Sequence, residues 1–116
     1  MKKKLLIVDD EEMVIHTVKV ILEDFGYEVH GERDPSKGEA EALSNAYDLI
    51  ILDLRMPGKN GAEITESIIK QKPTARILIH TGYPTDPLAK KAIDAGAAAL
   101  IKKPTEIGKI LDFLTS

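Results

Sequence analysis

Three carboxylates follow two apolar runs, each at the point where its run ends. Asp9 and Asp10 come directly after residues 5–8, and Asp53 follows residues 49–52. The carboxyl ends of neighbouring parallel strands meet at one edge of an open α/β sheet, where such sheets bind ligands. Left alone, three clustered carboxylates would repel and raise one another's pKa values. They therefore predict an acidic pocket for a hard cation such as Mg2+, with Mn2+ as an alternative.

A hydroxyl and an ammonium are predicted at the same edge of the sheet. Thr81 ends a fourth apolar run before Gly82, and Lys103 follows a fifth run before Pro104. Taken singly, a threonine at a strand end is usually a local cap and a lysine there is usually solvated, just as Asp10 could simply cap a helix. Around a metal and three carboxylates, however, one cation and one hydroxyl make a site for a phosphoryl group.

The elements that must position these side chains alternate along the whole chain. Short runs that are apolar on both faces are typical of parallel strands covered on both sides. Gly26 and Gly96 are predicted helix stops, and Asp34-Pro35 and Asp86-Pro87 are predicted helix starts. These signals predict one doubly wound, five-stranded parallel α/β sheet with helices on both faces. The expected strands are 4–9, 27–32, 48–53, 76–80 and 98–102, and the expected helices are 11–25, 35–46, 62–71, 87–96 and 105–114.

Composition excludes several classes of protein. The 116 residues suit one domain, spanning 1–116, and the net charge of −3 offers no basic footprint for nucleic acid. The sequence contains no cysteine, so disulfides and thiolate metal sites are excluded. Lys2 to Lys4 precede an apolar run too short for a signal peptide or a membrane span. We therefore expect a cytoplasmic protein that binds neither a membrane nor nucleic acid.

These motifs together closely resemble the receiver domain of bacterial two-component response regulators, of the chemotaxis-Y-like type. The resemblance covers essentially the whole chain, and the joint spacing of its motifs is more specific than any one of them. It implies a flavodoxin-like sheet with strand order 2-1-3-4-5 and five helices. The matching segments are Val8-Asp9-Asp10-Glu11, Leu52-Asp53-Leu54-Arg55-Met56-Pro57-Gly58 with Gly61, Thr81-Gly82 and Lys103-Pro104.

The resemblance implies how the carboxylates would be used. Asp53 would be the nucleophile that accepts a phosphoryl group from the phosphohistidine of a sensor histidine kinase or a phosphotransfer protein. Asp10, Asp53 and the backbone carbonyl of Arg55 would bind Mg2+ directly, and Asp9 would act on the metal through water. Such a domain is a signalling phosphoacceptor rather than an enzyme, with at most Mg2+-dependent self-phosphorylation and self-dephosphorylation.

The same resemblance implies a switch. Phosphorylation would replace the single negative charge of Asp53 with about two. Lys103 would neutralise the phosphoryl oxygens, aimed by a cis bond to Pro104, and Thr81 would move in to hydrogen-bond them. A downstream protein or output domain would then read the change. Residues expected to flank the pocket are Met56, Gly82 and Tyr83.

Two residues call for separate expectations. Leu100 stands where the family commonly carries a Tyr or Phe that swings inward, so we expect a muted or differently routed change on the face of the last two helices and the fifth strand. His80 precedes Thr81 in a strand, so its side chain is predicted to point to the opposite face of the sheet from that of Thr81.

Rival readings remain open. A Mg2+-dependent phosphohydrolase or phosphotransferase with an aspartate nucleophile often carries a second Asp two residues after the first, and here that residue is Arg55. A phosphorylation-independent adaptor would not need the full set of polar residues. A flavin-binding electron carrier would share the strand order, but the acidic pocket would repel a phosphate. Whether the chain is a stand-alone receiver or a fragment of a longer regulator, and whether it forms a homodimer, stays undecided.

Overall fold

The structure, a computed structural model, describes residues 2–115. Five parallel strands form one sheet in the order β2-β1-β3-β4-β5. This architecture confirms the predicted flavodoxin-like fold. In chain order the elements are β1 (Lys4–Val8), α1 (Glu12–Asp24), β2 (Glu28–Glu32), α2 (Pro35–Ser44), β3 (Leu49–Asp53), α3 (Gly61–Gln71), β4 (Ile77–Thr81), α4 (Pro87–Asp94), β5 (Ala99–Lys102) and α5 (Ile107–Thr115).

The helices cover both faces of the sheet, as the strands that are apolar on both sides require. One buried cluster joins alternate strand residues to α2, α3 and α4, and includes Leu52 and Ile79. The other joins the remaining strand residues to α1 and α5, and includes Ile51 and Leu78. Side chains alternate between the two faces along a strand, so only the strand ends are left to carry polar groups.

The predicted helix boundaries hold to within about two residues. Asp34 and Asp86 cap α2 and α4, each accepting backbone N–H groups of the first turn. Gly26 and Gly96 follow α1 and α4 with positive φ values of 93° and 119°, which end a helix without the steric penalty of a Cβ.

The last helix begins two residues later than predicted. Residues 103–105 form a turn, and α5 begins at Ile107. The Glu106 carboxylate accepts a hydrogen bond from the backbone N–H of Lys102 at 2.8 Å, which joins the start of the helix to the end of β5. The chain therefore turns at Lys103 before it becomes helical.

The loop after β3 is packed tightly against the sheet edge. Gly61 begins α3, and a Cβ at this position would lie 2.5 Å from the carbonyl oxygen of Asp53. Its N–H donates to the carbonyl of Leu54 at 2.8 Å. Asn60 and Glu63 form a reciprocal capping box at the start of the helix. Only a glycine allows this approach, which holds the backbone around Asp53 in place.

Across residues 2–115, the helices are too short or too polar for any of them to span a bilayer.

Candidate functional site

The three predicted carboxylates come together at the carboxyl edge of the sheet. Asp9 follows β1 and Asp53 ends β3, and these two strands are direct neighbours. One carboxylate oxygen from each of Asp9, Asp10 and Asp53 lies within 4.8 Å of the other two. Asp9 and Asp53 are buried, whereas Asp10 is half-buried. The edge therefore carries a concentrated negative charge that solvent screens only from one side.

Asp9 is buried in this cluster and is positioned by two backbone hydrogen bonds. Its backbone N–H donates to the carbonyl of Glu32 at 3.2 Å, and its Oδ1 accepts the backbone N–H of Glu11 at 2.9 Å. Its Oδ2 is buried and receives no hydrogen bond of acceptable geometry from the described residues, although the Lys103 ammonium is 2.9 Å away. The contact of this buried oxygen is therefore an ion pair with Lys103.

Lys103 places its ammonium among the acids. Its Nζ lies 2.9 Å from Asp9 Oδ2 and 3.3 Å from Asp53 Oδ1. The turn that aims it is anchored by its own N–H, which donates to the carbonyl of Thr81 at 2.8 Å. The peptide bond between Lys103 and Pro104 is cis. Burial alone would lower the pKa of Lys103, but its close contact with Asp9 and the charge of Asp53 outweigh burial and raise that pKa.

Glu11 adds a fourth acid that was not predicted to take part. Its Oε1 lies 3.5 Å from the ammonium of Lys103, and its side chain is otherwise mostly exposed. The available sequence signal was its position directly after Asp9 and Asp10.

Asp53 has a carboxyl group whose pKa is strongly raised by its surroundings. Burial and the neighbouring charge of Asp9 raise its pKa to about 7, against the opposing effect of Lys103. A carboxyl group whose pKa is shifted this far by its surroundings is a functional-site candidate.

The donor set fits a hard divalent cation. It consists of carboxylate oxygens alone, one of which is buried with only the Lys103 ammonium beside it among the described residues. Mg2+ prefers oxygen ligands and is usually bound through one or two carboxylates with water completing its shell. Asp9, Asp10 and Asp53 are therefore suited to hold such an ion.

Thr81 lies at the neighbouring strand end, where its side chain is already engaged. It ends β4, is buried, and its Oγ1 accepts the backbone N–H of Tyr83 at 3.0 Å. Gly82 is exposed, and the Tyr83 side chain is 75% exposed. Met56 is buried and belongs to the apolar cluster beneath α2, α3 and α4. The threonine hydroxyl is thus held by its own turn.

An ion pair between two loops was missed by sequence reasoning. The Arg55 guanidinium donates from Nε to one oxygen of Asp86 at 2.7 Å and from Nη2 to the other at 2.8 Å. Hydrogen bonding to Arg55 lowers the pKa of Asp86, and the same contact raises the pKa of Arg55. Asp86 was predicted only as a helix cap, which it also is, since it accepts the N–H of Leu88. Nothing in the sequence indicated a partner 31 positions away.

His80 points to the face of the sheet opposite to that of Thr81, as strand alternation predicts. It is buried, and its Nε2 lies 3.2 Å from Thr105 Oγ1, while its Nδ1 has no hydrogen-bond partner among residues 2–115. Burial and the charge of Lys103 lower its pKa to about 4. This histidine is therefore neutral near pH 7 and joins β4 to the turn that carries Lys103.

Leu100 is half-buried and packs against the apolar cluster beneath α2, α3 and α4. It supplies an aliphatic side chain at the position where the resemblance described above implies that Tyr or Phe is common.

Comparisons with known proteins agree with this geometry. The family model described as the response regulator receiver domain matches residues 5–115. The response regulator ArlR of Staphylococcus saprophyticus is 42% identical over 109 residues, which are 93% of this chain and 49% of that protein. The chain thus spans about half the length of this curated relative.

Solved structures share the fold. A receiver domain protein (CheY-like) from Methanospirillum hungatei JF-1 superimposes with a TM-score of 0.91 at 30% identity, covering 99% of this chain and 92% of that one. The receiver domain of the sensor histidine kinase PA1611 from Pseudomonas aeruginosa PAO1 gives a TM-score of 0.88 at 22% identity, covering 99% and 96%. That structure is described with a magnesium ion coordinated in its active site cleft. At this level of identity the likeness shows the fold alone.

Proposed function

Because the chain belongs to the response regulator receiver family of two-component systems, we propose that it is a phosphoryl-accepting switch with Asp53 as the acceptor. One observation carries this assignment: the Asp53 carboxylate lies 3.3 Å from the Lys103 ammonium, within the cluster of three acids. A buried nucleophile with a fixed cation beside it is the arrangement that phosphoryl transfer needs, because that reaction depends mostly on positioning and electrostatic stabilisation.

The metal would be held by this chain's own oxygens. Asp10, Asp53 and the backbone carbonyl of Arg55 would bind Mg2+, and Asp9 would act through water. Bound there, the cation would screen the repulsion between the Asp53 carboxylate and an incoming phosphoryl group. The magnesium described in the PA1611 receiver supports this choice of ion.

The protein residues then have separate parts in the transfer. A carboxylate oxygen of Asp53 forms the new bond to phosphorus while the bond from phosphorus to the donor nitrogen breaks. Lys103 neutralises the phosphoryl oxygens. The hydroxyl of Thr81 donates to one of them after leaving its present position. Tyr83 and Met56 flank the entrance on the β4 and β3 sides.

The phosphoryl donor would be a sensor histidine kinase or a phosphotransfer protein, and the receiver would act on a downstream protein or output domain. Residues 1–116 would form one receiver domain. The chain spans about half the length of the ArlR relative. Action on a downstream protein or output domain is therefore part of this proposal.

Intact mass spectrometry after incubation with acetyl phosphate tests the assignment directly. The wild type should gain one phosphoryl mass in Mg2+ and none after chelation of the metal. Asp53→Asn should gain none, whereas the matched control Asp112→Asn, on the exposed surface of α5, should behave as wild type. Phosphorylation of the Asp53→Asn protein would refute Asp53 as the phosphoryl acceptor.

Two further outcomes separate the rival functions. A folded wild type that gains no mass under any condition would indicate a phosphorylation-independent adaptor. Sustained release of inorganic phosphate from phosphate esters, measured by a coupled assay, would indicate a phosphohydrolase instead.

A further inference from the structure

A continuous chain of polar contacts links Thr81 to the loop on the other side of the pocket. The Thr81 hydroxyl oxygen accepts the N–H of Tyr83 at 3.0 Å. The carbonyl of Tyr83 accepts the N–H of Asp86 at 3.1 Å. The Asp86 carboxylate in turn binds both Nε and Nη2 of Arg55. A displacement of Thr81 that breaks its contact with Tyr83 therefore acts on the turn whose far end is bound by Arg55.

The ion pair between Arg55 and Asp86 has a two-point geometry that most surface ion pairs lack. Most exposed ion pairs contribute little, but a bidentate arginine–carboxylate pair is the exception because its geometry is fixed by two parallel hydrogen bonds. The Asp86 side chain is only 12% exposed, although that of Arg55 is 64% exposed. Asp86 also caps α4 through Leu88. Asp86 thus contacts three segments: its carboxylate binds the start of α4 and the loop after β3, and its backbone N–H closes the turn after β4.

In this structure, the Thr81 hydroxyl oxygen accepts a hydrogen bond from the backbone of its own turn. When Thr81 moves towards a phosphoryl group on Asp53, as in the function proposed above, its hydroxyl oxygen draws away from the N–H of Tyr83. Residues 83–86 then lose one of the contacts that shape their turn. The Arg55–Asp86 pair resists this rearrangement because it fixes the far end of the same turn.

We propose that Arg55 and Asp86 form a latch that holds Thr81 in its resting position, so that the closed pair and a phosphoryl group on Asp53 oppose each other. The latch deepens the function proposed above and rests on it. By thermodynamic linkage, opening the latch must favour phosphoryl binding by the same factor by which phosphoryl binding opens the latch.

A change of net charge near the pocket could also alter phosphoryl binding without any latch. Two conservative variants separate this charge effect from the loss of the paired hydrogen bonds. Arg55→Lys keeps the positive charge at the pocket mouth but cannot form the two parallel hydrogen bonds. Asp86→Asn removes the negative charge but keeps a good helix cap, because asparagine caps as well as aspartate. Lys90→Gln is the matched control, since it breaks a simple ion pair of 3.0 Å with Asp94 on the same helix.

The experiment titrates beryllofluoride, a phosphoryl mimic, into each folded variant at saturating Mg2+, with NMR as the readout. Arg55→Lys and Asp86→Asn should each tighten the apparent affinity by roughly fivefold. The double variant should show little more than either single change, because the two residues act as one unit. Lys90→Gln should match the wild type. In the wild type, the Nε–Hε resonance of Arg55 should shift away from its hydrogen-bonded position as the mimic binds.

Each contrary result has a distinct meaning. Wild-type affinity in both Arg55→Lys and Asp86→Asn, with the wild type binding the mimic normally, would overturn the latch and leave the phosphoacceptor function intact. Tightening in Asp86→Asn without tightening in Arg55→Lys would also overturn it, because charge would then suffice. A wild type that binds no beryllofluoride in Mg2+ would refute the phosphoacceptor function, and the latch would fall with it.

Discussion

The Lys103 ammonium lies 2.9 Å from Asp9 Oδ2, a buried carboxylate oxygen that receives no well-aligned hydrogen bond from the rest of the described chain. In the absence of a metal, this lysine is the principal positive charge facing the acidic cluster. Its side chain is 18% exposed, so solvent screens the contact only weakly. Lys103 therefore stabilises the metal-free fold as well as serving the proposed chemistry.

Lys103→Met should destabilise the metal-free protein. Removing one partner of a buried ion pair leaves the other uncompensated, and the expected loss is on the order of 3 kcal/mol. Mg2+ should recover much of it, because the cation neutralises the same carboxylates. Urea denaturation with and without Mg2+ measures both effects. Lys102→Met, at the exposed neighbouring position, should change stability little. Equal stabilities of the two variants without metal would contradict the prediction.

Asp53→Asn should stabilise the metal-free protein at pH 8. The pKa of Asp53 is raised to about 7 by burial and by Asp9. A group with a raised folded-state pKa contributes stability that is present below its unfolded pKa and is lost as the pH rises through the folded value. The ionised carboxylate is thus unfavourable at pH 8. The gain should be on the order of 2 kcal/mol, since Lys103 also loses a partner.

The pH profile provides the check on Asp53. The stabilising effect of Asp53→Asn should grow between about pH 4 and pH 7 in denaturation experiments carried out in a chelator. It should shrink in Mg2+, because the metal favours the carboxylate. A constant difference between the variant and the wild type across this range would show that the carboxyl group is not perturbed.

His80 should make stability fall on acidification. The pKa of His80 is lowered to about 4 by burial and by Lys103, from 6.5 for an ordinary histidine. Between these two pH values, the imidazole is protonated in the unfolded chain and neutral in the folded chain. This contribution is fully present above about pH 6.5 and is lost as the pH falls towards 4. It amounts to roughly 3 kcal/mol across the window.

The opposing contribution of Asp53 covers part of the same window, so the test of His80 is best made in the Asp53→Asn background. Adding His80→Val should flatten the acid side of the stability profile there. Adding His16→Gln, at an exposed position of α1, should leave the slope unchanged. A slope that survives His80→Val would assign the acid sensitivity to other groups.

Gly61→Ala should weaken the site as well as the fold. The new Cβ would lie 2.5 Å from the carbonyl oxygen of Asp53, and relieving such a clash shifts backbone at a typical loss of about 1–3 kcal/mol. Because the displaced backbone carries Asp53, affinity for Mg2+ should fall too. Denaturation and metal titration followed by NMR give the two measurements.

Gly108→Ala is the matched control for that substitution. Gly108 lies in α5, and a Cβ there meets nothing within 4 Å. Alanine should stabilise this helix by up to about 1 kcal/mol and leave Mg2+ binding unchanged. If the two alanine variants behaved alike, the close approach of α3 to β3 would not matter.

Local patterns in the sequence were sufficient for the fold and for the acidic cluster. Apolar runs, aspartate caps and terminal glycines act on their own neighbours, so they predicted the elements along the chain, whereas the strand order in the sheet was implied by the resemblance to the receiver family. Because β1 and β3 are parallel neighbours, their carboxyl ends lie side by side and bring Asp9, Asp10 and Asp53 together. The late start of α5 was missed because the turn at Lys103 is stabilised by a side chain from the following segment, Glu106.

Tertiary structure alone decided which side chains pair across the loops. Arg55 and Asp86 are 31 positions apart, and His80 and Thr105 are 25 apart. Each of these residues has an ordinary local explanation as a loop residue, a cap or a strand residue. Their contacts depend on how two loops leave neighbouring strands and how far each side chain reaches. No periodicity or local propensity encodes that distance, so only the packed chain reveals the connections around Thr81 and Lys103.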